Sequence, residues 1–545
     1  MKDCERTHEE KRVPPGEARF GRMIVPLVLF MVGGVHAPAP IKPKLVVMIT
    51  VDQLRPDYLT RWRSQFTGGL LQLVSVGAVF PNAFQDHAVT ETAPGHSTVL
   101  SGRWPAHTGI ITNVLGVGDS TAPLIDVNGP GASPRRFRGT EFFDWLAAAQ
   151  PTARALSVSR KDRGAILPIG ASRQEVYWYQ SGMFTTSRYY RDTLPAWVKA
   201  FNALRVPFKS AGREFGTLLP DSAYAEPDSQ PWENGGRDLT FPHHMPSDSA
   251  RAAAAYAGYP PMDSLTLAFA LAGLEALKLG KGEATDLLAV SLSTTDAIGH
   301  AFGPDSREIH DQVLRLDRYL GWFLDRLFAR IGRDRVLIVL TADHGVTPYP
   351  EYSRVHGHPD ARWVSVDTIV AAVNQQLDRR TAAPAPRAWL EFDTGVLFVK
   401  DNGRLAALGI RIDSVLADVS HRIAAVPGVA RVDRPDSLAS ADTAADPVAR
   451  RWRHHIPPDA GIGLVVSLDD WDAWSYSGGV TYAAHGQPSD LDAHVPLVFW
   501  GRGIRGGSYG ARANTVDIAP TLARLMDLAP LSIPDGRVLT EAIAP

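Results

Sequence analysis

Four short apolar runs constrain this chain more than any other feature. They are "KLVVMITV" (44–51), "DLLAVSLS" (286–293), "RVLIVLTA" (335–342) and "VPLVFWG" (495–501). Each reads as a fully buried strand, since it shows no polar alternation that would leave one face wet. Helical patterns lie between and after them. "SREIHDQVLRLDRYLGWFLDRLFARIG" repeats apolar residues at Ile309, Val313, Leu316, Leu320, Phe323, Leu324 and Leu327, and leads directly into the strand at 335. "TVDIAPTLARLMDL" near the end is a shorter helix. Buried strands alternating with amphipathic helices predict an α/β fold with a mostly parallel sheet.

The α/β body is expected over 44–545, with two stretches breaking the rhythm as insertions. One, at about 116–282, is irregular and rich in Trp, Tyr, Pro and Gly. The other, at about 352–482, holds a Pro/Ala-rich joint and then a strand–helix–strand pattern through "RIDSVLADVSHRIAAVPGVARV". The formal net charge of −2 gives no global field that would attract nucleic acid or an anionic membrane. The single cysteine, Cys4, lies before the expected mature start. Cysteine nucleophiles and thiolate metal sites are thereby excluded, and any metal must be held by oxygen and imidazole nitrogen.

Arg19 and Arg22 precede "MIVPLVLFMVGGV" and "HAPAP". This is the pattern of a secretory leader over 1–37, either cleaved or kept as an anchor, and Met23 is an alternative start. The apolar run is too short to span a bilayer comfortably, and no later run reaches the length of a membrane span. The chain is therefore expected to be periplasmic or secreted. Nothing in the sequence sets its oligomeric state, and a monomer is compatible with it.

Three of the buried runs lead into aspartates: "VVMITVD" at Asp52, "AVSLSTTD" at Asp296 and "VLIVLTAD" at Asp343. Ligands of open α/β sheets bind outside the carboxyl ends of parallel strands. If the three strands are parallel neighbours, their carboxylates gather on one edge, where they repel one another unless cations compensate them. Histidines accompany them. His300 follows Asp296 by four residues, one helical turn; His344 follows Asp343 directly; His485 precedes the last buried run. Aspartate and histidine without sulfur suit catalytic zinc, with manganese and iron as alternatives. "VHGHPD" (His356, His358) and the His-His pairs at His243 and His454 follow no buried strand and read as solvated loop.

Together "VDQLRPDYL", "TAPGHSTVLSG", "TDAIGHAFGPDS", "TADHG" and "HGQPSDLDAHVPLVFWG" resemble the alkaline phosphatase superfamily, in that family's chain order. The resemblance implies a three-layer α/β/α sandwich with a mostly parallel central sheet and inserted cap regions, and two Zn²⁺ per chain. Asp296, His300 and His485 would hold one; Asp52, Asp343 and His344 would hold the second, which also binds the nucleophile. Thr92 maps onto the nucleophile, forming a phosphothreonine, and Pro94-Gly95 suits the helix start beside it. His96 reads as structural. Thr90, Ser97 and Thr98 read as ordinary local structure.

"SVSRKDRGAILPIG" resembles the Lys/Arg motif of the threonine-nucleophile, phosphate-irrepressible alkaline phosphatases, which are related to nucleotide pyrophosphatase/phosphodiesterases. The resemblance assigns Lys161, Arg163 and Asn113 to the substrate phosphoryl group. In a strand, Lys161 and Arg163 would share a face and Arg160 would point the other way. A monoester carries more terminal charge than a diester and needs more such donors, so small-molecule phosphate monoesters are the expected substrates. A nucleotide pyrophosphatase/phosphodiesterase using the same two zinc ions is the alternative.

Overall fold

The computed structural model describes residues 42–383, 385–475 and 482–545. The expected leader at 1–37 and the alternative start at Met23 lie outside them. Among the described residues, no helix is long and apolar enough to cross a membrane.

The strands of three or more residues are, in chain order, β1 (Leu45–Val51), β2 (Ala78–Phe84), β3 (Ala155–Ser159), β4 (Glu175–Gln180), β5 (Met183–Thr185), β6 (Asp286–Leu292), β7 (Val336–Thr341), β8 (Leu390–Asp393), β9 (Val396–Val399), β10 (Val429–Asp433), β11 (Ile462–Leu468) and β12 (His494–Gly501) among the described residues. The helices used below are α1 (Gly69–Val76), α2 (Thr92–Val99), α3 (Asp162–Ile166), α4 (Pro261–Ala276), α5 (Thr294–Phe302), α6 (Arg307–Ile331), α7 (Asp367–Thr381), α8 (Ile412–Ala424), α9 (Pro447–His455) and α10 (Ile518–Met526).

The main sheet runs β2-β12-β7-β1-β6-β3-β4-β5, with short segments at Gly507–Ser508 and Ala513–Asn514 beside β2. From β7 through β4 all pairings are parallel. β12 is antiparallel to both β7 and β2, and β5 to β4. The 116–282 stretch thus contributes three strands to this sheet. The patterning there looked irregular because its strands are short and separated by loops.

Strand β1 shows why the apolar runs are continuous. Leu45, Val47, Ile49 and Val51 join one core with Leu70 of α1, Phe269 of α4 and Leu320 of α6. Val46 and Met48 join the opposite core with Val99 of α2, Ile166 of α3 and Leu522 of α10. Helices on both faces leave no side of the strand for water. All seven apolar residues of the predicted α6 stripe are fully buried, and Ser306 caps that helix by accepting from Ile309 N.

Residues 390–468 build a second, antiparallel sheet, β8-β9-β11-β10, whose core includes Val373 of α7 and Val419 of α8. β8 and β9 are joined by a two-residue hairpin, Thr394-Gly395, with φ of 43° and 83°. Positive φ at both positions is what a type I′ turn requires.

Helix α1 has no side-chain cap of its own. Asp317 of α6 supplies one, accepting from the backbone N–H of Thr67 (2.7 Å), Gly68 (2.6 Å) and Leu71 (3.1 Å). The helices can cross this closely because Gly68 has no side chain: a Cβ there would lie 2.2 Å from Asp317 O. Asp317→Ala strands these donors and should cost about 2–4 kcal/mol. The expected readout is a lower urea midpoint at unchanged slope, partly restored by Asp317→Asn.

Candidate active site

The parallel register gathers the three carboxylates. β1 lies between β6 and β7. Asp52 is the first residue beyond β1, Asp343 the second beyond β7, and Asp296 sits in the first turn of α5, four residues past β6. Asp52, Asp343 and His344 are completely buried and Asp296 nearly so. One helical turn after Asp296, His300 places Nε2 3.1 Å from Asp296 Oδ1. His485 comes in from the loop before β12. Its ring stacks on His344 with centroids 3.6 Å apart, and its Nε2 is 3.3 Å from that of His300. His344 Nε2 is 3.3 Å from Asp52 Oδ1.

The three imidazoles are oriented alike. His300 donates Nδ1–H to Ala483 O (2.6 Å), His344 to Gly345 O (2.9 Å) and His485 to Thr90 O (2.8 Å). A carbonyl can only accept, so the proton is on Nδ1 and each Nε2 faces the carboxylates. This is how metal-ligating histidines are held. Asp52 Oδ1 and His344 Nε2 are buried without a hydrogen bond, and the inward oxygens Asp52 Oδ2 and Asp343 Oδ2 meet only the ion-pair contacts of Lys161 and His96. Two donor sets each converge within 4.8 Å: Asp296, His300 and His485, and Asp52, Asp296 and His344. Oxygen and nitrogen donors without sulfur fit zinc.

Asp343 stands slightly apart from the second set. Its Oδ1 accepts from Gln53 N (3.2 Å), its Oδ2 lies 3.0 Å from His96 Nδ1, and its distance to His344 Nε2 is 3.8 Å.

Lys161 occupies the centre. Its Nζ is 2.7 Å from Asp52 Oδ2, 2.8 Å from Asp296 Oδ2 and 3.0 Å from Thr92 Oγ1. Burial and Asp296 push Asp52 upward, but Lys161 and His344 outweigh them and hold it below the carboxylate range. Asp296 is likewise raised by burial but held low by Lys161 and His300. His344 is disfavoured as a cation by burial, yet Asp343 and Asp52 push it up to about 9. Burial and the neighbouring His344 push His485 down to about 3. The carboxylates thus stay charged at neutral pH, and a metal must displace the Lys161 ammonium from Asp52 and Asp296 and the proton from His344.

Thr92 is the first residue of α2, and the cap position belongs to Glu91. Pro94 stands third in the helix, not first. Gly95 brings α2 onto the strand end, since a Cβ there would be 2.1 Å from Asp343 O. Asn113 Oδ1 accepts from Ala93 N (2.9 Å), which fixes the amide plane and turns Nδ2 away, free to donate.

The lysine-arginine motif differs from its expected geometry. β3 ends at Ser159, Lys161 is the cap residue of α3, and Arg163 lies within α3. The pair therefore straddles a helix start and does not share a strand face. Arg160 does not point away: its Nη2 is 3.6 Å from Asp296 Oδ2. The strand ends two residues before Lys161 and four before Arg163, so alternation no longer applies there. Arg163 remains partly exposed, with Nη1 3.6 Å from Asp162.

Thr90 and Glu91 do more than the sequence suggested. Thr90 orients His485 through its carbonyl, accepts from Gly486 N (3.2 Å) and donates to Gln487 O (3.1 Å). Glu91 is pushed up to about 7 by burial and Asp393. Gln53, at φ 66°, spans Asp343 and Asp296. His96 joins Thr92 O to Ser291 Oγ. All four lie beside motif residues, but only the folded chain reveals their partners. Ser97 and Thr98 bond back to Pro94 O and Gly95 O within their own helix. Of the other histidines, His243 meets Glu308, His454 meets Asp86 O, His356 stacks on Tyr352, and His358 on Trp471.

Comparison with known proteins places this architecture. Residues 46–487 match the family model for type I phosphodiesterase/nucleotide pyrophosphatase. The chain is 33% identical over 528 residues to alkaline phosphatase PhoK of Sphingomonas sp, covering 91% of each chain. It is 31% identical to alkaline phosphatase PafA of Elizabethkingia meningoseptica, covering 94% of this chain and 97% of that one. The crystal structure of PafA superposes with a TM-score of 0.81 at 28% identity, over 92% of this chain and 99% of the other. A solved variant of PafA is substituted at a threonine, an asparagine, a lysine and an arginine. Murine ectonucleotide pyrophosphatase/phosphodiesterase 5 shares the fold, with a TM-score of 0.52 at 14% identity. The chain belongs to the type I phosphodiesterase/nucleotide pyrophosphatase family and, within it, is an alkaline phosphatase.

Proposed function

We propose that the protein is an exported, zinc-dependent phosphatase that hydrolyses small-molecule phosphate monoesters through a phosphothreonine on Thr92, in the service of phosphate acquisition. The observation that carries this reading is the contact of Lys161 Nζ with Thr92 Oγ1, Asp52 and Asp296 at once. It puts the nucleophile candidate, a substrate cation and the carboxylates of both metal sets in one place. The spacing in the substituted PafA variant supports the assignment. Its threonine and asparagine are 21 positions apart, as Thr92 and Asn113 are, and its lysine and arginine two apart, as Lys161 and Arg163 are.

Two zinc ions on Asp52, Asp296, His300, Asp343, His344 and His485 would supply Lewis-acid stabilisation of the attacking and leaving oxygens. The chain's own groups do the rest. Thr92 Oγ gives up its proton to solvent and attacks phosphorus, the bond to the leaving oxygen breaks and that oxygen takes up a proton; water then attacks the phosphothreonine, its oxygen going to phosphate and one of its protons to Thr92 Oγ. The N-terminus of α2 and the Lys161 ammonium favour negative charge on Thr92 Oγ. With metal ions held by Asp52 and Asp296, Lys161 would be released from those carboxylates and its ammonium would bind the phosphoryl group. Asn113 Nδ2 and Arg163 add directed donors, worth most where charge builds in the transition state.

The catalytic unit is assigned to 44–545, with 1–37 as leader or anchor. A nucleotide pyrophosphatase/phosphodiesterase is the second reading, favoured by the description of the matching family model.

Thr92→Ala is expected to lower monoester turnover on the order of 10³-fold or more and to abolish phosphate labelling of the protein. Lys161→Ala should lower monoester kcat/KM about 10–100-fold and diester kcat/KM by less. A natural protein faster on diesters would favour the second reading. Chelation should remove metal and activity together, with zinc restoring both; a metal-free protein of full activity would exclude the scheme. Gly95→Ala, placed against Asp343 O, should reduce activity about 10-fold or more while the protein stays folded by circular dichroism.

A further inference from the structure

The tip of the β8–β9 hairpin reaches out of the second sheet and touches the active-site loops. Thr394 adopts φ 43°. A β-branched residue at positive φ is a genuine outlier, and the first position of a type I′ turn ordinarily takes Asn, Asp or Gly. Such strain is retained where the surroundings need that side chain.

What Thr394 touches gives the reason. Its Oγ1 donates to Glu91 Oε1 at 3.0 Å. Its Cγ2 lies where a Cβ on Gly486 would come within 2.3 Å, so the methyl fills the space beside the residue that follows His485. The other oxygen of Glu91, Oε2, accepts from Asn113 N at 2.6 Å, and Asn113 in turn bonds Ala93 N in the first turn of α2. Asp393 Oδ1 lies 3.2 Å from the same Thr394 hydroxyl, whose one proton it shares with Glu91 at 3.0 Å. Glu91 and Thr112, the neighbour of Asn113, are both buried. Asparagine and glycine would suit the turn better, but neither brings a methyl and a hydroxyl to these two places.

We infer that Glu91 and Thr394 are positioning residues for phosphoryl recognition: the hairpin tip fixes the loop that carries Asn113, so that the second sheet takes part in substrate binding. They act through Asn113 and do not touch substrate themselves. Loop donors need such support to keep their aim within a fraction of an ångström, and misplacement costs rate without unfolding. This inference rests on the proposed contact of Asn113 with the phosphoryl group.

A double-mutant cycle tests it, reading kcat/KM for p-nitrophenyl phosphate on the zinc-loaded full chain. Asn113→Ala should lower it about 10–100-fold, Glu91→Ala about 10-fold, and Glu91→Ala in the Asn113→Ala background should have little further effect. Glu91→Gln, which keeps an acceptor for Asn113 N–H, should recover most of the loss. Thr394→Gly removes the strain and the hydroxyl together. It should melt no lower than the natural protein while losing activity in the same non-additive way, which separates positioning from stability. Equal losses from Glu91→Ala with and without Asn113 would overturn the inference and leave the proposed function standing. An inert Asn113→Ala would remove the phosphoryl contact itself, and the inference with it.

Discussion

Everything in this active site depends on placing three carboxylates at one buried sheet edge. The neighbouring parallel strands β7, β1 and β6 run in register, and each delivers its aspartate within four residues of its last paired residue. Like charges buried together raise one another's pKa and tend to expel one another unless positive charge compensates them. Here the compensation is visible: Lys161 bridges Asp52 and Asp296, Arg160 approaches Asp296, and His344 is pushed towards its cationic form. The same demand explains why three histidines surround the edge with Nε2 turned inward. A site that must neutralise this much negative charge is suited to hold divalent cations and, through them, a phosphate.

Helix α2, which begins with Thr92, is fixed by packing and hardly at all by its own capping. α2 has an N-cap residue, Glu91, whose side chain does not cap it. It is held instead by the contact of Gly95 with the Asp343 backbone, by Asn113 on Ala93 N, and by His96 reaching towards Asp343 and Ser291. Glu91 is thereby released to bond Asn113 N and Thr394. Local helix stability is given up for aim, as is usual where a scaffold must hold reactive groups.

Much of this was legible in the sequence because it rests on short-range rules. Apolar runs without alternation marked the doubly covered strands, the stripe of α6 marked its buried face, and aspartates after buried runs marked the ligand edge. The Lys161–Arg163 geometry was misread for an equally local reason: the strand ends at Ser159, so period-two alternation no longer applied, and Arg160 turned inward. Thr90 looked like a spare hydroxyl because its partners, His485, Gly486 and Gln487, are nearly four hundred residues away. Nothing in the run from Thr90 to Leu100 encodes that contact.

The sequence by itself determined which residues could do chemistry, and that the fold would be α/β, because periodicity, burial and residue type are local properties. Tertiary structure alone decided that β1 lies between β6 and β7, that Lys161 reaches both carboxylates and Thr92, and that a strained threonine at 394 meets Glu91. Those are long-range pairings. They depend on strand order and on close backbone approaches that only the assembled core enforces.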